Sequence, residues 1–173
     1  LEHHMSSISV KELSHPAGEV IKIAAGKTLD LHSQGTTKMP AGSVLQIVSS
    51  IYNGANDYST TSTSYIDTQL SVAITPKFAN SKILVEMVMN VQSPSGSRGE
   101  SRILRGAVDL TGNTWIGPNA SHVFWGVSAG TWEDSPNTTS AITYKVQSKA
   151  LSGAYYYHSG GLISSLVLTE IAQ

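Results

Sequence analysis

The chain has 173 residues, a formal net charge of −1 and only 13% charged residues, about half the usual quarter, while Ser and Thr together number 41. That length suits one domain with a sizeable core and a short appendage. Eleven Lys and Arg dispersed along the chain supply no basic stripe for nucleic acid. The absence of cysteine excludes thiolate zinc sites and cysteine nucleophiles. No apolar run approaches the roughly 20 residues of a membrane span, so membrane insertion is not expected.

Residues 1–5 read as a tag or vector remnant, Leu1 to His4 followed by Met5, so His3 and His4 are set aside as ligands. Residues 6–38 are punctuated by Pro16-Ala17-Gly18, Ala25-Gly26 and Gln34-Gly35, with short apolar patterns at Val20 to Ile23 and Thr28 to Leu31 between the marks. Each pattern is too short to hold a core alone, and together they read as a short β-rich stalk or connector. Met39-Pro40-Ala41-Gly42 is the expected boundary of a head that occupies 39–173.

The head reads as a succession of strands. Ser43 to Tyr52 is followed by a loop over Asn53 to Ser64. Tyr65 to Thr75 alternates, with Ile66, Leu70, Val72 and Ile74 inward and Asp67, Gln69, Ser71 and Thr75 outward. Lys82 to Gln92 carries Ile83, Val85, Met87, Met89 and Val91 on one face, and Leu84 and Val88 add apolar groups to the other. A strand apolar on both faces is covered on both sides, and the second cover could be another subunit. A loop over Ser93 to Glu100, a strand over Arg102 to Leu110, a turn-rich excursion over Gly112 to Ser121 and a strand over His122 to Ser128 come next.

The turn Asp134-Ser135-Pro136-Asn137 opens the stretch that organises the chain, since Pro136 fixes φ while Asp and Asn bond their own backbone. Ile142, Tyr144 and Val146 then share one strand face, Thr143, Lys145 and Gln147 the other. Short strands over Ala154 to His158 and Leu162 to Ile171 complete the chain. No helix of three turns with an apolar stripe is present. Short strands at this spacing predict an all-β, jelly-roll-like sandwich.

The runs MPAGSVLQIVSS, STTSTSYIDTQLSVAITPKFANSKILV, RILRG, DSPNTTSAITYKVQ and LVLTEIAQ, in this order over 39–173, resemble the C-terminal head domain of bacteriophage tail fibres and related minor virion proteins. The resemblance implies a homotrimeric virion structural protein at or near a receptor-binding tip. Its expected partners are sister chains, other virion tail proteins, and a bacterial surface glycan or outer-membrane protein. It also implies a place in the virion, extracellular after host lysis. The alternatives are a virion structural or decoration protein that binds no receptor, and a glycan-depolymerising enzyme.

The residues themselves favour binding over catalysis. Glycoside hydrolysis needs two carboxyls facing one sugar, whereas Glu133 and Asp134 are adjacent on extended chain and point apart, and read as turn and capping groups. Asp67 and Asp109 lie on separate strands with no motif linking them. His15, His32, His122 and His158 include no pair at ligand spacing, so neither a metal nor a cofactor is expected. Sugars pair with an aromatic platform set among polar groups. Trp115 in its turn-rich segment, flanked by Asn113 and Asn119, is the first candidate receptor contact, since variable loops on a rigid scaffold carry recognition. Arg98, the cation of the loop before Arg102, is a second. Tyr155, Tyr157 and His158 complete the set, although aromatics are equally at home in a core or a subunit contact.

Overall fold

A computed structural model describes residues 25–26, 39–53, 57–112 and 123–173. The chain divides between Lys38 and Met39 into two units, and the account below concerns the second. The stalk patterns at 20–23 and 28–31 lie outside the described residues.

Among the described residues ten strands follow one another: β1 (Val44–Tyr52), β2 (Tyr58–Thr60), β3 (Ile66–Ile74), β4 (Lys82–Ser93), β5 (Arg98–Arg105), β6 (Val108–Asp109), β7 (Phe124–Asp134), β8 (Ile142–Ser152), β9 (Tyr155–Tyr157) and β10 (Ser164–Ile171). The only helical turn among the described residues is a short 3-10 segment, Ser159–Gly161.

The strands form two antiparallel sheets. In the first, the order is β1-β10-β4-β9-β2, with β7 also on β4. Residues Ile83 to Val88 of β4 pair with both β10 and β7, so those strands take opposite edges; β9 meets Val91 and Gln92 beyond the end of β10. The second sheet runs β3-β8-β5-β6.

The inward faces meet in one core. Ile83, Val85, Met87, Met89, Leu166 and Leu168 from the first sheet pack against Leu70, Ile103, Tyr144 and Val146 from the second. Each fully buried aliphatic side chain contributes roughly 1.5–3 kcal/mol, so the alternation of β3, β4, β8 and β10 is what sets the two sheets face to face.

Two polar clusters flank Ile83 at one end of the sandwich. Asp134, the last residue of β7, accepts two hydrogen bonds from Arg105 Nη1 at 2.7 and 2.9 Å and one from the Tyr144 hydroxyl at 2.6 Å, tying the first sheet to β5 and β8. The turn role expected for Asp134 is therefore corrected: its carboxylate faces inward as a clamp between sheets. Buried Glu170 accepts from Gln46 Nε2 at 2.6 Å and from the Lys77 amide at 2.7 Å, holding β10 to β1 and to the β3–β4 turn.

Several boundaries depart from the sequence expectation. The strand placed over Arg102 to Leu110 begins at Arg98 and breaks at Gly106, whose φ of 55° turns β5 into the hairpin partner β6. The loop before it shrinks to a tight turn in which the Ser97 amide donates to the Pro94 carbonyl at 2.9 Å. The strand placed over His122 to Ser128 runs on to Asp134, and the loop over Asn53 to Ser64 contains β2, which pairs with β9.

Candidate functional site

The outer face of the second sheet is where charged side chains converge. Cross-strand register sets Glu100 of β5 opposite Lys149 of β8, and Arg102 opposite Gln147; Asp109 follows on β6 and Tyr65 precedes β3. Period-2 alternation points all of these away from the core. They line a polar cavity of about 210 Å³ completed by Thr111 and Gly112.

Tyr65 is its centre. The Tyr65 hydroxyl donates to Glu100 Oε1 at 2.6 Å, the Arg102 guanidinium lies 3.8 Å from the ring centroid and the Lys149 ammonium 4.5 Å from it. Lys149 also pairs with Glu100 at 2.9 Å. Arg102 donates through Nε and Nη2 to Gln147 Oε1 at 3.0 and 2.7 Å, and through Nη1 to Asp109 at 3.3 Å. Asp109 Oδ1 in turn accepts from the Thr111 amide at 3.0 Å and from its hydroxyl at 2.7 Å.

The electrostatics follow from these contacts. Burial alone would raise the Glu100 carboxyl, but the Tyr65 hydroxyl and the Lys149 ammonium outweigh it and hold the group below the usual carboxylate range. Asp109 is held low in the same way, its burial outweighed by the Thr111 donors and Arg102. Burial and the adjacent Glu100 charge push the Tyr65 phenol well up. Two cations thus face two carboxylates, and the cavity presents paired donors and acceptors with no net charge.

A second feature lies on the opposite side. Trp125 of β7 is 61% exposed and stands with Val127 and Leu162 around a cleft of about 220 Å³, with Asn90 and Ser159 at its polar edge.

Of the residues expected from sequence, Asn113, Trp115 and Asn119 lie outside the described residues, although Asn113 follows directly in sequence on Gly112 of the polar cavity. Arg98 is exposed at the start of β5, opposite Ser152, and does not line that cavity. Tyr155, Tyr157 and His158 are corrected: they are 0%, 3% and 0% exposed and belong to the interior. The Tyr155 ring lies so close over Gly99 that a Cβ there would sit 1.9 Å from its Cγ, and β9 is held between β2 and β4.

His158 does not share a face with Tyr156, as strict alternation would have it. Its φ of 57° breaks the strand, and its ring packs 4.5 Å from that of Tyr52 and 5.4 Å from that of Tyr157. Neither of its ring nitrogens has a hydrogen-bond partner among the described residues, and burial pulls its pKa down to about 4.

The cavity residues Tyr65, Glu100, Arg102 and Lys149 do not stand out in the sequence. The available signal is a set of charges at outward positions of successive strands, but only the register brings those positions together.

The architecture is that of an all-β, jelly-roll-like sandwich. The chain matches no protein-family model and no curated protein. Among solved structures it is similar to the VP2 protein of the infectious bursal disease virus subviral particle, with a TM-score of 0.51 and 8% identity, over 84% of this chain and 37% of that one. VP2 in the T=1 particles derived from the same virus gives a TM-score of 0.48 and 10% identity, over 83% and 35%. The chain therefore spans little more than a third of the length of these viral proteins, and at this identity the likeness is one of fold.

Proposed function

We propose that the chain is the head of a virion structural protein of the phage tail-fibre kind, which assembles with copies of itself and attaches to a receptor on the bacterial surface, glycan or protein. Three things support this reading: the ordered motifs over 39–173, a fold shared with a protein of a viral particle, and a polar cavity on the outer face of a rigid sheet. The observation that carries the receptor role is the cavity around Tyr65, because it opens on a scaffold held by the core and runs in sequence into the segment that contains Trp115. Arg102, Lys149, Glu100 and Asp109 offer donors and acceptors at fixed positions, which is how a site orients a polar, neutral ligand.

Attachment without cleavage fits the same site better than hydrolysis does. A glycosidase needs one carboxyl raised so that it stays protonated as general acid, whereas Glu100 and Asp109 are both held low. The test is to incubate the purified chain with bacterial cells and isolated surface polysaccharide, measuring retention and reducing ends released. Saturable retention with no release of reducing ends is expected. Release of reducing ends would refute the binding reading in favour of an enzyme, and a chain retained by no bacterial surface would favour a virion part without a receptor.

A further inference from the structure

The stretch between β9 and β10 lies on the outer face of the first sheet and builds one wall of the cleft beside Trp125. Alternation points Asn90 and Gln92 of β4 outward, on the same face as Glu86 and Val88. Asn90 is nonetheless only 8% exposed. Its Nδ2 donates to the Ile163 carbonyl at 2.5 Å, while Ser159, itself buried, donates through Oγ to Gln92 Oε1 at 3.1 Å. Register sets Val127 of β7 opposite Asn90 and Trp125 opposite Gln92, which makes the facing wall apolar. Among the described residues β7 pairs with β4 alone, so the cleft lies next to a free sheet edge.

The loop takes this path against its own preferences. His158, Gly160 and Gly161 all have positive φ, at 57°, 75° and 64°. Glycine adopts that backbone freely and histidine does not. The same histidine buries both ring nitrogens with no hydrogen-bond partner among the described residues. Unfavourable backbone and unfavourable burial concentrated where a loop begins are a mark of functional segments. The edge of the Trp125 ring rests over Gly160, its Cζ3 3.5 Å from where a Cβ would stand, and most of the side chain stays open to solvent.

The polar groups of the cleft define what it can accept. A carbonyl oxygen only accepts, so Asn90 must turn its nitrogen to Ile163, which leaves Oδ1 as its free acceptor. Ser159 has spent its proton on Gln92 and keeps oxygen lone pairs. Both acceptors are held by buried side chains, and no ionisable residue lines the cleft among the described residues. An apolar side chain seated here would cover these acceptors without satisfying them, which is costly. A neutral ligand with one apolar face and several N–H or O–H donors satisfies every wall. The Tyr65 ring already carries Arg102 and Lys149 over it, whereas no cation or second ring lies on Trp125 among the described residues.

We propose that the Trp125 cleft is a sugar-binding site that takes one neutral N-acetylated hexose. Its C–H face lies on the Trp125 indole, its acetamido methyl sits against Val127 and Leu162, and its N–H and hydroxyls donate to Asn90 Oδ1 and Ser159 Oγ. Val127 and Leu162, both more than half exposed, supply the apolar wall that a plain hexose would leave unused. This site is on the opposite side of the sandwich from the Tyr65 cavity and stands independently of it.

The test is a titration of the full chain, carrying isotope-labelled tryptophan, with N-acetylglucosamine, N-acetylgalactosamine and glucose, following by NMR the indole N–H signal that Trp125→Phe removes. Saturable movement of that signal by an N-acetylhexosamine is expected, with a Kd on the order of a millimolar for a single small ring, and about tenfold weaker binding of glucose. Saturation transfer to the acetamido methyl is expected in the parent chain and in Gln69→Asp, and is lost in Trp125→Ala with the far-ultraviolet circular dichroism spectrum unaltered. Val127→Ser is expected to bring N-acetylhexosamine affinity down to that of glucose. A Trp125 signal that neither N-acetylhexosamine moves would overturn the site, as would one shielded from a soluble paramagnetic agent before any sugar is added. Glucose binding as tightly as both N-acetylhexosamines would overturn the acetamido assignment. The receptor reading of the Tyr65 cavity is judged separately, by binding of Arg102→Ala to cells, so the two can fail independently.

Discussion

Replacing His158 with phenylalanine isolates the pH effect that the fold implies on the acid side of neutrality. The imidazole is fully buried against Tyr52 and Tyr157, with the Tyr58 ring 6.2 Å away, and neither nitrogen has a hydrogen-bond partner among the described residues. Burial disfavours the charged form and lowers the pKa from 6.5 to about 4. The unfolded chain therefore binds a proton between those values that the folded chain does not. Stability is fully present above pH 6.5 and falls as the pH drops towards 4. At 1.36 kcal/mol per pKa unit the loss is about 2.5 kcal/mol by pH 4.5, and about 3 kcal/mol over the whole window.

His158→Phe keeps a ring in the cluster and removes both the titration and the unpaired nitrogens. Phe is less at ease than His at the positive φ of this position, which costs about 1 kcal/mol and offsets part of the gain. Near pH 7.5 the two proteins are then expected to agree within about 1 kcal/mol, while at pH 4.5 the variant is more stable. Urea unfolding followed by tryptophan fluorescence at the two pH values measures both terms. An equal loss of stability in both proteins between pH 7.5 and 4.5 would refute the reasoning.

Other substitutions test the remaining parts of the account. Asp134→Ala leaves Arg105 and the Tyr144 hydroxyl without their shared acceptor and is expected to cost about 2–3 kcal/mol in urea unfolding; a cost near zero would show that the clamp does not hold the sheets together. Gly99→Ala forces a methyl into the Tyr155 ring and is expected to destabilise by about 3 kcal/mol, while an unaltered midpoint would contradict the packing of β9. Tyr65→Phe removes the donor to Glu100, so the Glu100 carboxyl titrates at a higher pH in an NMR titration while stability changes by less than about 1 kcal/mol. A Glu100 titration that stays in place would show that the hydroxyl does not hold that carboxylate.

Much of the architecture is legible in the chain because its signal is local. The inward set Ile83, Val85, Met87, Met89 and Val91 is buried as alternation requires, and the second apolar face of β4, with Leu84 and Val88, shows in the order of its residues alone. What alternation does not carry is partner and register. β2 has three residues, too few for a period to show, and it takes β9 to explain it. Tyr155 and Tyr157 form an aromatic run near the end of the chain that suits a surface as well as a core, and only pairing of β9 with β2 and β4 decides for the core.

The site is less legible than the fold for the same reason. Tyr65, Glu100, Arg102, Asp109 and Lys149 span 84 positions of sequence (149 minus 65) and meet only when β3, β8, β5 and β6 are set in order. Arg98 and Arg102 share a strand, yet it is the second, opposite Gln147, that reaches the cavity.

The central claim is attachment through the outer face of the second sheet, and the most direct measurement is saturable binding of the purified chain to bacterial cells and arrayed surface glycans, compared with Arg102→Ala and with Gln69→Asp as a control on the same face. Binding that falls at least tenfold in Arg102→Ala and persists in the control is the predicted result. Binding that is equal in all three, or absent from the unsubstituted chain on every surface, would contradict it.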